Sequence, residues 1–325
     1  MYNQIEVILS QYEIEIRDVA KGRGSFICDT DRGKRLLVPF RGSKEKGMLL
    51  YDFLQELGTN HFDVEQIELT EKKEAVAEDE FTGERFVLKS YVDGTEICTS
   101  RIEEMKEAVR MLAIYHNVAE KLTIESKLPH STENTVEVWR RHYKELIKVR
   151  NYIRNRKKKS EFEQVYMKQF EHNRKSAEDS LAILEELCLR PMRKVVCHGD
   201  FNQHNILLCN GRYKIVHFEN FSYNWGMIDL ANFIRKMLEK NDWEEYIGRQ
   251  LISEYDRYRS IETEEYQQLY ALLLFPEKFW KVTNHYMNSR KTWISGRDID
   301  KLKKVIAQEE KRLDFLENVF AFLRE

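Results

Sequence analysis

Asp200 and Asn205 are the residues whose type and spacing most directly suggest chemistry. They lie five positions apart in the polar segment 198–205 (HGDFNQHN). A carboxylate in such a loop can orient a reacting hydroxyl, and an amide oxygen can bind a hard cation such as Mg²⁺. The apolar runs 195–197 and 206–208 on either side predict two buried strands. We therefore expect a loop that directs both side chains into one cavity.

The segment after this loop carries two more candidates. Gly211 predicts a hairpin turn, and the sequence 213–218 (YKIVHF) predicts the next strand. His217 lies near the end of that strand, and Glu219 follows two residues later. If strand pairing continues, both side chains lie on one face.

The loop resembles the catalytic loop of the aminoglycoside phosphotransferase and choline kinase superfamily, whose members are related to protein kinases. That superfamily has His-Gly-Asp, four further residues and then Asn, as in 198–205, and an Asp-Leu-Ala segment that matches 229–231. The resemblance implies that Asp200 is the catalytic-loop aspartate and that Asn205 binds metal and nucleotide. It also implies structural roles for His198 and Asp229.

Two downstream segments narrow the resemblance. Residues 274–286 (LFPEKFWKVTNHY) and 289–294 (SRKTWI) look like the large-lobe end of the CotS-like spore coat proteins of spore-forming Firmicutes. The runs 21–24 (KGRG) and 41–43 (RGS) agree with it. This resemblance covers essentially the whole chain. It implies synthesis in the mother-cell cytoplasm, a place in the spore coat, and other coat proteins as partners.

The implied fold is α+β and bilobal, like a protein kinase. Residues 1–93 would form a small lobe with an antiparallel sheet and a helix, and residues 94–325 a larger, mostly helical lobe that carries the hairpin 195–218. The sequence pattern itself predicts a helix at 2–12, a three-stranded meander at 13–42, a helix at 43–57 and strands near 64–69, 74–79 and 84–92. It then predicts a hinge at Asp93-Gly94 and a loop at 122–133, with helices at 100–121, 134–190 (two or more), 229–240, 242–258, 263–290 and 298–323.

Other parts of a kinase-like site are altered. A kinase-like enzyme holds the nucleotide phosphates with a lysine on the third strand, and that position falls on Val38. The helix glutamate that positions this lysine falls near Met48, with Glu45 one turn away. The magnesium aspartate is replaced by His217. Each lost contact of this kind typically costs about 3 kcal/mol of transition-state stabilisation, so ordinary turnover is not expected.

Several residues could compensate. Arg35, Arg41 or Lys89 could replace the missing cation, and Glu219 could reach a metal. The turn that contains Gly22 and Gly24 could cover phosphates, although two glycines are also ordinary in a hairpin.

Composition excludes some functions. The net charge of −2 argues against a general nucleic-acid binder, and the absence of a long apolar run predicts no membrane span and no signal peptide. Five scattered cysteines fit a reducing compartment without structural zinc. His116 is expected in the packed core, and the basic stretch 140–159 on a solvated helix surface rather than at a patch for an acidic partner.

Three functional hypotheses follow. The first is a degenerate, non-catalytic kinase-like coat protein that needs no cofactor. The second is an active phosphotransferase that uses ATP and Mg²⁺, in which Asp200 orients a small-molecule hydroxyl. The third is a ligand-binding module that has kept the cleft and lost the reaction.

Overall fold

The structure is a computed structural model that describes residues 2–122, 135–288 and 296–324. Most of the predicted loop at 122–133 and the segment 289–294 lie outside the described residues. The chain forms two compact units. Unit 1 comprises Met1–Cys98, Arg110–His130 and Val195–Tyr223, and unit 2 comprises Thr99–Val109, Ser131–Lys194 and Asn224–Glu325. The division into 1–93 and 94–325 stays a prediction, whereas the α+β class is confirmed.

The first part of unit 1 is an antiparallel sheet with two helices. Helix α1 (Tyr2–Leu9) precedes the sheet, and helix α2 (Lys44–Thr59) begins after the N-cap Ser43. The strands are β1 (Ile16–Lys21), β2 (Phe26–Thr30), β3 (Arg35–Pro39), β4 (Ile67–Glu68), β5 (Ala77–Glu78) and β6 (Arg85–Ser90). Their order is β1-β2-β3-β6-β4, and β5 also pairs with β6. The predicted meander and the helix after it are confirmed.

The two faces of this sheet have different surroundings. Leu37 is fully buried in a core that includes Ile8 of α1. Because side chains alternate along a strand, Leu36 and Val38 point to the opposite face. Lys89 on β6 pairs with Leu36 in the register, so its side chain emerges on that same face.

Five short strands surround the polar loop. They are β7 (Thr95–Glu96), β8 (Val195–Cys197), β9 (Ile206–Cys209), β10 (Arg212–Ile215) and β11 (Ser222–Asn224). β7 and β10 pair with β9, and β8 pairs with β11. Asn210 and Gly211 join β9 to β10 with φ values of 48° and 78°, as expected for a two-residue hairpin turn. The sequence did not predict β7, which follows Asp93-Gly94, or β11.

The strand predicted at 213–218 ends earlier, at Ile215. His217 has a left-handed φ of 71°, and a 3-10 turn follows at Phe218–Asn220. The backbone N–H groups of His217 and Phe218 donate to the Glu65 carboxylate at 2.9 and 3.3 Å instead of continuing a ladder. The prediction that His217 and Glu219 share a strand face is therefore wrong.

Aromatic side chains pack beneath the loop strands in unit 1. The hydroxyl of Tyr115 donates to the carbonyl of Val196 at 2.5 Å, and its ring lies 5.5 Å from that of Phe218. Phe53 of α2 stacks on Phe221 at 5.5 Å. His116 is fully buried next to Tyr115, as expected for a core residue.

Unit 2 consists mainly of helices. The helices after α2 are α3 (Ile102–Ala119), which begins in unit 2, α4 (Thr135–Arg154), α5 (Glu161–Cys188), α6 (Met227–Lys240), α7 (Glu245–Tyr258), α8 (Thr263–Leu274), α9 (Glu277–Asn288), α10 (Gly296–Ala307) and α11 (Glu309–Val319). The prediction of one helix at 263–290 is wrong, because Pro276 cannot continue a helix from α8 into α9. The predicted helix 298–323 is likewise two helices, separated at Gln308.

The surface of unit 2 agrees with the solvated interpretation of its basic stretch. Arg140 pairs with Glu185 at 2.6 Å, and Arg156 pairs with Glu163 at 2.8 Å. Part of the basic charge is thus matched by neighbouring helices. Within the described ranges, no helix is both long and apolar enough to cross a bilayer.

Candidate functional site

Unit 1 contains a cleft of about 680 Å³, a size typical of small-molecule sites. It is bordered by the turn after β1, the face of the sheet that carries Leu36, residues 90–94, and the polar loop. Most of the predicted site residues line it, namely Gly22, Gly24, Val38, Asp200, Asn205, His217 and Glu219. His198 is buried near the loop, whereas Asp229 is buried on α6 in unit 2, and its structural role stays a prediction.

His198 holds the start of the loop. Its Nε2 lies 2.9 Å from the carbonyl of Val216, and its Nδ1 lies 3.2 Å from the backbone nitrogen of Asp200. A carbonyl only accepts and an amide N–H only donates, so these bonds require a neutral ring with its proton on Nε2. In this tautomer His198 fixes the backbone of Asp200.

Gly199 permits a close approach between two backbone segments. Its φ is +81°, and a Cβ at this position would lie 2.0 Å from the carbonyl oxygen of Asn220. Any side chain would push the loop away from the turn that follows His217. The glycine between His198 and Asp200 is therefore required by local geometry.

Asp200 and Asn205 both line the cleft, as their spacing suggested, and they are also in direct contact. The amide Nδ2 of Asn205 donates to the carbonyl of Asp200 at 2.9 Å and to its Oδ2 at 3.3 Å. Asn202 supports the same turn by donating to the carbonyl of Asp200 at 2.8 Å. Asn205 thus uses its NH₂ group within the loop, and its amide oxygen is the atom suited to a cation.

A buried ion cluster lies at the inner end of the cleft. The ammonium of Lys89 donates to Glu65 at 2.9 Å, to Glu219, and to Nδ1 of His217 at 3.2 Å. The side chains of Lys89 and Glu65 are only 1% and 3% exposed. His217 must accept at Nδ1, because an ammonium group only donates. We call these four residues the Lys89 cluster.

The Lys89 cluster keeps its ionised groups charged. Burial favours a neutral amine, but the Glu65 and Glu219 carboxylates outweigh it and raise the pKa of Lys89. Burial also opposes the charge on Glu219, but Lys89 holds the pKa of that carboxyl well below its usual range. The Lys89–Glu219 ion pair contributes to both pKa shifts.

At the positions where the resemblance places the kinase lysine and glutamate this chain has other residues, and its buried lysine–glutamate pair is formed elsewhere in the cleft. Val38 lines the cleft and brings no charge. The backbone N–H of Ala75 donates to the sulfur of Met48 at 3.2 Å. The carboxylate of Glu45 hydrogen-bonds the side chain of Ser43, the N-cap of α2, and this bond lowers the pKa of Glu45. The glutamate that binds Lys89 is instead Glu65, just before β4.

Sequence reasoning missed Glu65. Its only signal is a single acidic residue beside the apolar positions Val64 and Ile67, which does not specify a partner. Lys89 was a candidate as one of three cations that could replace the missing lysine. Arg35 is engaged elsewhere, with Glu68 at 2.7 Å.

Two other groups of cations border the cleft. Arg23, in the glycine-containing turn, pairs with Glu96 at 3.5 Å and contacts His204 at 3.0 Å. Arg41 precedes α2, Lys46 lies in the first turn of α2, and both line the cleft. The ammonium of Lys46 lies 5.6 Å from the centre of the Phe221 ring, a cation–π distance.

The residues of the cleft do not fit a magnesium site. Mg²⁺ prefers several oxygen ligands in octahedral geometry, whereas His217 offers nitrogen and Glu219 is held by Lys89. Over the described ranges, no group of three or more His, Cys, Asp or Glu side chains is arranged to hold a metal ion. Phosphate groups, in contrast, have cations available at the edge of the cleft.

The fold is similar to those of solved aminoglycoside phosphotransferases and a related kinase. An aminoglycoside phosphotransferase from Alicyclobacillus acidocaldarius superposes with a TM-score of 0.83 at 16% identity, over 98% of this chain and 96% of that chain. The amicoumacin kinase hAmiN, solved with AMP-PNP, Ca²⁺ and Ami, gives 0.66 at 9% identity, over 97% and 94%. Spectinomycin phosphotransferase APH(9)-Ia, solved with ADP and spectinomycin, gives 0.66 at 12% identity, over 95% and 98%. At these identities the similarity establishes the fold.

The chain belongs to the family described as "Spore coat putative kinase YutH", whose model matches residues 5–319. The CotS-like resemblance stated from the sequence is thereby confirmed. No curated protein sequence matches the chain significantly.

Proposed function

We propose that this chain is a catalytically degenerate kinase-like protein that acts in spore coat assembly. The proposal rests on which residues lie at the expected metal position and on what they bind. His217 replaces the aspartate and accepts from Lys89 at 3.2 Å, and the nearby Glu219 is already paired with that lysine. Both carboxylates at this end of the cleft, those of Glu65 and Glu219, are bound by Lys89.

The phosphate side of the cleft supports the same proposal. Val38 replaces the third-strand lysine, and Lys89 is neutralised by two carboxylates. Loss of one such transition-state contact typically slows a reaction by about 10²- to 10³-fold. With the lysine and the metal aspartate both replaced, ATP turnover should fall to background.

Turnover and ligand-dependent stability test the proposal on the full chain. We expect no ADP release above background with ATP and Mg²⁺, and no stabilisation by Mg²⁺ beyond that of ATP alone. A ligand at a hundred times its dissociation constant stabilises a fold by about 2.7 kcal/mol, so metal-dependent binding would raise the melting temperature clearly. In His217→Asp we expect a Mg²⁺-dependent increase to appear. Magnesium-dependent turnover by the wild type would refute the proposal.

The role in the coat has a separate test in a spore-forming host that lacks the endogenous gene. Asp200→Asn keeps the shape of the side chain and removes the carboxylate that a phosphotransferase would need. If the protein acts without catalysis, this variant at equal abundance restores the coat as well as the wild type does. A coat defect with a stable, correctly located Asp200→Asn protein would contradict the proposal.

An active phosphotransferase is the second candidate. The contact between Asp200 and Asn205 and the buried Lys89–Glu65 pair favour it, because they keep the acceptor loop and a lysine–glutamate pair. Spectinomycin is a reasonable first acceptor, since a structurally similar enzyme was solved with it. Phosphate transfer that Asp200→Asn abolishes would establish this candidate.

A further inference from the structure

We propose that the cleft binds a phosphorylated ligand without a divalent cation, and that Arg41 and Lys46 are the residues that hold its phosphate. This inference rests on the proposed loss of the magnesium site, because it assigns the neutralisation of phosphate charge to side chains alone.

The proposal starts from the distribution of charge around the cleft. Glu65 and Glu219 are paired with Lys89, and Glu96 is paired with Arg23. Arg41 and Lys46 remain. In the described part of the chain, the side chain of neither residue makes an ion pair or a hydrogen bond, although both border the cleft.

Lys46 is held where an anion could reach it. Its stem passes close to Gly42, where an added Cβ would lie 3.0 Å from Lys46 Cδ, and its ammonium lies over the ring of Phe221. The side chain is half-buried, and this burial lowers the pKa of Lys46. A desolvated ammonium without a carboxylate partner gains most from an anionic ligand.

Lys44 provides a contrast on the same helix. It lies two residues earlier, pairs with Glu74 at 2.8 Å and does not line the cleft. Two lysines in the first turn of α2 thus differ in what neutralises them. This difference makes Lys44 a matched control for Lys46.

Phosphate is the ligand chemistry that the two cations fit best. A guanidinium can bind two phosphate oxygens at once, and an ammonium adds a point charge with three donors. The volume of about 680 Å³ leaves room for a group attached to the phosphate. The shared chemistry is a phosphate ester or polyphosphate, and the experiment identifies which form binds.

Calorimetric titration of the full chain in EDTA tests the inference, with ATP, AMP and pyrophosphate as separate probes. We expect at least one of them to bind the wild type without metal, with an affinity that falls as salt rises. Lys46→Met and Arg41→Gln should each weaken binding by about tenfold or more, whereas Lys44→Met should not. Binding of ATP and AMP but not pyrophosphate would indicate a nucleotide, and binding of pyrophosphate would indicate recognition of the phosphates alone.

Two results would overturn the inference. One is that none of the probes binds at millimolar concentration in EDTA. The other is that the Lys46 and Arg41 variants, shown to be folded by circular dichroism, bind as tightly as the wild type. Magnesium-dependent turnover would instead refute the proposed function, so the two failures can be told apart.

Discussion

Both units bury a cation between two glutamates, but their surroundings differ. In unit 1, Lys89 lies between Glu65 and Glu219 at the inner end of a cleft of about 680 Å³. In unit 2, Arg235 lies between Glu239 and Glu277 beside a cavity of only about 30 Å³. The same chemistry therefore occurs once beside space for a ligand and once within packed helices.

The partners of each cation explain the difference. Arg235 bonds to Glu239 at 2.6 Å and to Glu277 at 3.0 and 3.2 Å, and Lys281 adds charge to Glu277 at 2.5 Å. In the Lys89 cluster, the side chain of His217 is 32% exposed, and that residue lines the cleft. We infer that the Arg235 pair fixes the packing of helices, whereas the Lys89 cluster forms a wall of a binding site.

Replacing the two cations should separate these roles most strongly. Arg235→Met leaves the largely buried Glu239 and Glu277 with only the half-exposed Lys278 and Lys281 as partners, and should lower the free energy of unfolding by about 3 kcal/mol. Lys89→Met should cost less, about 2 kcal/mol, because the backbone N–H groups of His217 and Phe218 still donate to Glu65, and Glu219 lines the cleft. Denaturant unfolding measures both. The four tryptophans in the described ranges belong to unit 2, so their fluorescence reports on that unit, and segment-resolved hydrogen exchange reports on unit 1.

Arg249→Met is the control for these variants. Arg249 pairs with Glu245 at 2.7 Å, but its side chain is 48% exposed, so its loss should cost less than about 1 kcal/mol. If Lys89→Met destabilises as much as Arg235→Met, the comparison fails and the Lys89 cluster is a second structural core.

A backbone substitution tests the rigidity of the loop next to the Lys89 cluster. Gly199→Ala combines an unfavourable φ with a Cβ only 2.0 Å from the carbonyl oxygen of Asn220, and should cost about 3 kcal/mol. Gly211→Ala has a similar φ of +78° with nothing within 4 Å, and should cost only about 1 kcal/mol. Thermal unfolding measured by circular dichroism compares them. Equal costs would mean that the loop moves to accept the methyl group.

Acid should weaken unit 2 through Glu277. Burial alone would raise the pKa of Glu277, but Arg235 and Lys281 lower it to about 2. A carboxyl whose pKa is lowered in the folded state contributes its full stabilisation at pH values above its unfolded pKa of about 4.3. This stabilisation, here about 3 kcal/mol, is lost as the pH falls towards about 2. Urea unfolding followed by tryptophan fluorescence should show this loss in the wild type. In Arg235→Met the loss should shrink, because Arg235 no longer lowers the pKa of Glu277 while Lys281 still does, and an equal loss in both proteins would assign it to other groups.

Features that depend on residues close together along the chain could be predicted from the sequence. The spacing of Asp200 and Asn205 predicted that both face one cavity, and Lys89 was among the cations that could replace the missing lysine. The sequence was not sufficient to predict the partners of Lys89. Glu65 is 24 residues from Lys89 along the chain, and it reaches the cation because His217 turns out of the strand. A contact between distant residues at an irregular turn leaves no periodic pattern. The break at Pro276 is different, because a proline within a helical pattern is a local signal that predicts it.

The smallest expected effect on stability is also the one tied most closely to function. In Lys46→Met a half-buried charge is removed, while the cation–π contact with Phe221 is lost, so the free energy of unfolding should change by less than about 1 kcal/mol. Because burial lowers the pKa of Lys46, the wild type should gain stability relative to the variant as pH rises from that lowered value to about 10.4. Thermal unfolding across this range measures the difference. A residue that contributes little to folding but sets the affinity for a phosphate would identify the edge of the cleft as a binding surface. A large loss of stability in Lys46→Met would show instead that Lys46 is part of the core of unit 1.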